Sequence, residues 1–228
     1  MCTVTYLPLD KGYILTSNRD ESPLRNATPP GTKTIGDKEV YFPKDPLAGG
    51  TWFATDHSAF TLVLLNGGLV KHHHKPPYRR SRGLMVLDFF EINDVEKFST
   101  QYNFEGIEPF TLVIASEELH EVIWTGQELI VNGLNPREPQ IWSSSTLYPD
   151  PVRAERKSWF IKWLKTHDSF VQNEILEFHK TGGKGDAWND FVMNREGIVQ
   201  TISVTSILKN DLGFQELYHE DLLNKKGT

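Results

Sequence analysis

Residues 1–21 read Met1-Cys2-Thr3-Val4-Thr5-Tyr6-Leu7-Pro8-Leu9-Asp10-Lys11-Gly12-Tyr13-Ile14-Leu15-Thr16-Ser17-Asn18-Arg19-Asp20-Glu21. Two β-branched and aromatic runs, 2–7 and 12–17, flank Pro8-Leu9-Asp10-Lys11, which predicts a β-hairpin. The turn sets the register. If Leu9 pairs with Gly12, Cys2 faces Arg19; if Gly12 belongs to a three-residue loop, Cys2 faces Asp20. Either closure carries the charged stretch Asn18-Arg19-Asp20-Glu21 to the start of the first strand.

Cys2 is the single cysteine of the chain. Initiator methionine is normally removed ahead of a small residue, and a Cys2 freed in this way carries a nucleophilic thiol and its own general base, the α-amine. An α-amine titrates near pH ~7.7–8, so it can take the thiol proton and return it to a leaving group without a histidine. A lone cysteine is by itself more often a small hydrophobe, and reactivity needs a suitable surrounding. The hairpin supplies one. Arg19 is a permanent positive charge that favours the thiolate, and Asp20 accepts hydrogen bonds from the ammonium and orients it. Asn18, on the same strand end, is read as a substrate contact. The competing reading is a charged strand end with Arg19 paired to Asp20 or Glu21 at a wet surface, where such pairs contribute ~0–1 kcal/mol.

Asn66 ends the apolar run Phe60-Thr61-Leu62-Val63-Leu64-Leu65 and precedes Gly67-Gly68, where a buried strand reaches a loop and backbone can approach a ligand. A neutral amide there can stabilise a tetrahedral oxyanion, an effect of ~3–4 kcal/mol in other enzymes; by itself Asn-Gly is a common turn pair. Trp52, just after Gly49-Gly50, is read as a pocket wall.

Met1-Cys2-Thr3, Asn18-Arg19-Asp20-Glu21, Gly49-Gly50-Thr51-Trp52, Leu65-Asn66 and Ser81-Arg82-Gly83 together resemble the NRDE family, that of the Transport and Golgi organisation protein 2. The resemblance covers most of the chain and is strongest over residues 1–92. That family looks like a branch of the N-terminal nucleophile hydrolases, similar in its opening to the choloylglycine hydrolases and penicillin V acylases. Those relatives cleave amides with an N-terminal cysteine, an arginine and an aspartate soon after it, and an oxyanion-hole asparagine. The resemblance implies catalytic roles for Cys2, Arg19, Asp20 and Asn66. It also implies an α+β fold, a four-layer αββα sandwich of two antiparallel sheets flanked by helices.

Two positions depart from the pattern. Where choloylglycine-type relatives carry a further asparagine, this chain reads Trp142-Ser143-Ser144-Ser145-Thr146-Leu147, with Ser144 as the replacement at the substrate. Near the C-terminus, where many family members have a Gly-Thr-Arg-type segment, it reads Gln200-Thr201-Ile202-Ser203-Val204-Thr205, without the arginine. The departures imply a different substrate or a loss of activity.

The length of 228 residues and 38% hydrophobic content fit one domain over 1–228 with a full core. A net charge of -6 argues against nucleic acid as a partner, although Lys71 to Arg82 form a basic cluster. No apolar run approaches ~18 residues and no charged-then-apolar leader opens the chain, so no membrane span and a cytoplasmic location are expected. A single cysteine forms no internal disulfide, in keeping with that compartment. No cofactor motif is found, and the sequence does not encode the oligomeric state.

Periodicity predicts a second hairpin from Gly50–Thr55 and Ala59–Asn66, and helices over Arg82–Ile92, with Ser81 as N-cap, and over Asp94–Tyr102. Three strands follow, Pro109–Ser116, Glu118–Trp124 and Gln127–Asn132. Helices over Pro151–Thr166 and Asp168–Lys180 come next, the first placing Trp159, Phe160, Trp163 and Leu164 near one side. Strands Gly197–Leu208 and Gly213–His219 close the chain. His72-His73-His74 is not read as a metal site, because consecutive side chains do not converge on one ion; a basic loop fits better. Thr181-Gly182-Gly183-Lys184-Gly185-Asp186 lacks phosphate-loop spacing and follows a helix, so it reads as a flexible connection. Ser143–Thr146 has no nucleophile elbow around it.

Three functions fit these residues. The first is an N-terminal cysteine hydrolase or acyltransferase acting on a small-molecule amide or thioester through an acyl-Cys2 intermediate. The second is a carrier of a lipid, acyl-coenzyme A or haem-like ligand on the same scaffold, and the third is an interaction protein in which Cys2 is incidental.

Overall fold

The computed structural model describes residues 3–56, 59–210 and 213–223. In chain order these residues form strands β1 (Thr3–Pro8), β2 (Tyr13–Glu21), β3 (Thr28–Ile35), β4 (Lys38–Lys44), β5 (Phe53–Asp56) and β6 (Thr61–Asn66). Helices α1 (Arg82–Ile92) and α2 (Val95–Gln101) follow, then β7 (Phe110–Ala115), β8 (Leu119–Trp124), β9 (Leu129–Leu134) and β10 (Gln140–Ser143). The chain closes with α3 (Asp150–Leu164), α4 (Gln172–Thr181), β11 (Asn194–Arg195), β12 (Val199–Asn210) and β13 (Gly213–Asp221). No helix among the described residues is long and apolar enough to cross a membrane. The elements divide into two compact units, residues 1–26 with 137–228, and residues 27–136.

The first unit is an antiparallel sheet in the order β10-β1-β2-β12-β11, with β13 also on β12, and helices α3 and α4. Its first hairpin closes as the shorter of the two expected turns: the Leu9 N–H donates to the Gly12 carbonyl at 3.0 Å, and Thr3 lies opposite Asn18. Gly12 has a φ of 95°, and a Cβ there would run into the Lys209 and Asn210 backbone, so the turn needs a glycine. The chain runs β2 through the middle of the sheet, between β1 and β12. Helices α3 and α4 close one face of the sheet around Leu7, Ile14, Phe160, Ile175, Phe178 and Phe191, with Trp159, Trp163 and Leu164 against them. Helix α4 begins at Gln172, four residues later than periodicity suggests, because Phe170 turns inward and stacks on Trp163 at 6.1 Å.

The second unit is an antiparallel meander, β3 through β9 in sequence order, with α1 and α2. Ser81 caps α1 as expected, its Oγ accepting from the Leu84 N–H, and Asp94 caps α2 through the Lys97 N–H. The β5–β6 hairpin forms as expected, and its turn residues His57 and Ser58 lie outside the described residues. Strands β3 and β4 escaped the sequence reading. Pro29 and Pro30 break any alternating pattern, and β3 is tolerated because it is an exposed edge strand with a register shift between Thr28 and Gly31. The run Gly49-Gly50-Thr51-Trp52 has a steric explanation. The Thr51 N–H donates to the Gly83 carbonyl in the first turn of α1, and a Cβ on Gly83 would sit 2.9 Å from the Thr51 backbone N and O.

Two motifs that are 33 residues apart are therefore one packing contact between glycines. Gly83→Ala should destabilise the protein by ~1–3 kcal/mol or more through overpacking. Gly133→Ala, whose Cβ would meet nothing within 4 Å, should change stability by under ~0.5 kcal/mol. Urea unfolding of the pair tests this, and equal effects would remove the contact as the reason for the motif.

Candidate active site

One rung of the first unit's sheet, Ser143–Thr3–Asn18–Val204, organises the predicted residues. Arg19 and Asp20 lie one and two positions beyond it on β2, and Ser144 one position beyond it after β10. Cys2, the proposed nucleophile, lies outside the described residues. Asn66 and Trp52 belong to the second unit. Asn66 ends β6 opposite Phe110, and Gly67 behind it, with a φ of 85°, donates its N–H to the Pro109 carbonyl at 3.0 Å. Trp52 is buried, and its carbonyl accepts from the Leu64 N–H.

Alternation sends neighbouring β2 side chains to opposite faces. Asn18 and Asp20 face α3 and α4; Arg19 faces away. All three are almost wholly buried, at 0%, 2% and 3% exposure, so each polar atom must find a partner. Asn18 Nδ2 donates to the carbonyls of His179 at 3.0 Å and Phe191 at 2.7 Å, which fixes the amide's orientation. Its Oδ1 then accepts from the His179 Nδ1–H, and His179 Nε2 accepts from the Thr5 hydroxyl at 2.7 Å. That tautomer is neutral. Burial, reinforced by the Arg156 guanidinium, pushes His179 down to about 3. Asn18, expected at the substrate, has both ends of its amide engaged with α4 and the Phe191 backbone.

Asp20 is held by two hydroxyls, Thr201 Oγ1 to Oδ1 at 2.6 Å and Tyr148 OH to Oδ2 at 2.7 Å. The Tyr148 ring lies under Arg156, whose guanidinium carbon is 3.6 Å from the ring centroid. Arg156 is completely buried. It donates through Nη1 to Thr3 Oγ1, through Nε to the Asn189 carbonyl at 3.0 Å and through Nη2 to the Asp190 carbonyl at 2.5 Å. The glycine-rich loop after α4 presents those carbonyls. Its N–H groups at Lys184 and Gly185 donate to the Asp190 carboxylate, so the segment read as a flexible connection cradles an internal anion.

On the opposite face, Arg19 Nη1 donates to the Arg25 carbonyl at 2.6 Å. A register shift lets Thr201 lie opposite Asp20 while Ser203 lies opposite Arg19, with Ile202 as the extra residue of a β-bulge. Further along that face, Thr205 Oγ1 is 2.8 Å from His219 Nδ1. Burial holds His219 below its usual range, with Asp221 raising it and Arg19 lowering it. Ser144, 1% exposed, bonds through Oγ to Thr146 Oγ1 at 2.9 Å.

Sequence reasoning missed Arg156, His179, Tyr148 and Thr201. A signal existed for two of them: Arg156 lies four residues before Phe160 on the buried side of α3, and His179 shares a helical stripe with Gln172, Ile175 and Leu176. In the second unit, His72 Nε2 and His74 Nδ1 converge on Glu108 Oε1 at 2.9 and 3.0 Å, with Arg82 on Oε2. Burial would raise Glu108, but Arg82 and the two histidines outweigh it and hold the carboxyl low. No metal-holding cluster occurs among the described residues.

The model of the family described as Transport and Golgi organisation 2 matches residues 1–193. The chain belongs to that family. No curated sequence matches it. Among solved structures it is similar to a Caenorhabditis elegans N-acylethanolamine-hydrolyzing acid amidase ortholog, with a TM-score of 0.63 and 14% identity, covering 90% of this chain and 92% of that one. It is also similar to a variant of the conjugated bile acid hydrolase of Clostridium perfringens, with a TM-score of 0.58, 12% identity and 98% and 93% coverage. Penicillin V acylase of Agrobacterium tumefaciens gives a TM-score of 0.53, 10% identity and 98% and 87% coverage. At these identities the likeness is one of fold, and it establishes the expected α+β class: two antiparallel sheets with four helices, in the manner of N-terminal nucleophile hydrolases.

The neutral His179 gives this Transport and Golgi organisation 2 member a pH signature. Its folded pKa lies below the unfolded value of 6.5, so the unfolded chain takes up a proton that the folded chain refuses as pH falls below 6.5. Stability should therefore drop from pH 6.5 towards pH 3, approaching ~1.4 kcal/mol per pH unit from this group alone. His179→Gln should show a shallower decline between pH 6.5 and 5 in urea unfolding, and parallel curves would refute the assignment.

Proposed function

We propose that the chain is an N-terminal cysteine amidohydrolase that cleaves a non-peptide C–N amide, or a thioester, of a small acyl substrate. The observation that carries this reading is the β1–β2 register, with Thr3 opposite Asn18 and the buried Arg19 and Asp20 just beyond it. One further step of that register would set Cys2 opposite Arg19. The fold likeness to enzymes named amidase, hydrolase and acylase supports the same class.

In the proposed reaction, Met1 is removed and the Cys2 α-amine takes the thiol proton as sulfur attacks the acyl carbon. Arg19 favours the thiolate. The Asn66 amide donates to the oxyanion, on the strength of the family motif. The tetrahedral intermediate expels the amine, which receives the proton held by the α-amine, and water then releases the acid from acyl-Cys2. Asp20, already fixed by Tyr148 and Thr201, orients the α-amine. Asn18 acts as a positioning residue behind the site instead of a substrate contact, Ser144 borders the start of β1, and Trp52 is kept as a pocket wall. A reducing cytoplasm would keep a lone catalytic cysteine free.

Intact mass spectrometry should show loss of Met1 and, after iodoacetamide at neutral pH, one adduct on Cys2 formed well above the rate of free cysteine. Arg19→Ala should slow that step about tenfold, and Asn66→Ala should lower kcat on any substrate found by ~10²–10³-fold. Alkylation at the free-cysteine rate, unaffected by Arg19→Ala, would remove the activated thiolate. Absence of turnover across an acyl library, with ligand binding kept in Cys2→Ala, would favour the carrier of a lipid, acyl-coenzyme A or haem-like ligand.

A further inference from the structure

Ser203 is 3% exposed, and its hydroxyl has no hydrogen-bond partner among the described residues. Its surroundings make that unusual. Other buried hydroxyls of the same sheet are paired: Thr16 with Ser206 at 2.8 Å, Thr5 with His179 and Thr205 with His219. A buried unpaired hydroxyl is costly, and alanine would fill the position at lower cost, so a native orphan calls for an explanation, of which a bound group is one.

The backbone aims this hydroxyl deliberately. Residues 201 and 203 would share a face in a regular strand, and the bulge at Ile202 separates them, giving Thr201 to Asp20 and Ser203 to the Arg19 face. In register Ser203 lies between Arg19 and Asp221, with Thr205 and His219 one rung further on the same face. A short neutral donor therefore stands beside the Arg19 charge.

We propose that Ser203, beside Arg19, forms a specificity subsite that donates a hydrogen bond to an oxygen acceptor, a carboxylate or carbonyl, remote from the cleaved bond. The inference rests on the proposed reading that this strand end carries the nucleophile. If Cys2 lies opposite Arg19, two strand spacings separate it from Ser203, roughly 10 Å. The acceptor is therefore a second polar group several bonds away from the scissile carbonyl. The substrate class is an acyl amide with such a distal acceptor, in preference to a plain fatty acyl amide.

Two small probes separate these cases: octanamide, and suberamic acid, which carries a carboxylate at the far end of the same chain. Calorimetric binding to the Cys2→Ala protein, where no turnover occurs, should favour suberamic acid by about tenfold. Ser203→Ala in that background should abolish the preference while leaving octanamide affinity unchanged. Its melting temperature should be equal or higher, since the substitution removes an unsatisfied hydroxyl. A preference for suberamic acid that survives Ser203→Ala, no preference at all, binding of neither probe, or a lowered melting temperature would each overturn the subsite. Failure of the hydrolase reading shows separately, as the absence of Cys2 alkylation in the wild-type chain.

Discussion

Burying Asn18, Arg19 and Asp20 in the central strand of a sheet is the constraint from which the rest of the first unit follows. Each polar group removed from water without a partner costs on the order of 1–3 kcal/mol, a large share of a domain's net stability. The chain meets that demand from distant segments: His179 on α4, Tyr148 ahead of α3, Thr201 on β12 and the carbonyl of Phe191. Arg156 extends the set to Thr3, the described residue nearest the proposed nucleophile. A network of this kind is high in stakes. Fully satisfied it fixes a single arrangement, and losing one member exposes the others to the same penalty.

This explains why the glycine-rich loop after α4 looks like a ligand loop in sequence and is not used as one. Its turn exists to bring the Asn189, Asp190 and Phe191 carbonyls to Arg156 and Asn18, and the Asp190 carboxylate stabilises the turn by accepting from its N–H groups. Gly183, with a φ of 149° and the Asp190 side chain where a Cβ would stand, permits that closure. The glycines serve the scaffold of the site from behind.

Local chemistry was legible in the sequence and tertiary compensation was not. The hairpin turn alone restricted the register to two choices, because side chains alternate and the loop length sets the pairing. Ser81 and the apolar run behind it marked α1 to the residue. By contrast, β3 was hidden by two prolines that only an edge strand tolerates. Arg156 and His179 were passed over because a single polar residue on an apolar stripe has no visible partner until strands from the other end of the chain arrive. The bulge at Ile202 has no local signature at all, since it exists only in the pairing of β12 with β2 across the sheet.

That bulge also separates two kinds of freedom. The helix-facing side of β2 carries groups whose partners are interlocked, and substitution there disturbs the whole set. The other face carries Arg19, Ser203, Thr205 and His219, and the Ser203 hydroxyl has no hydrogen-bond partner among the described residues. A substitution at Ser203 therefore perturbs what lies on the sheet face without breaking the network that holds Asp20.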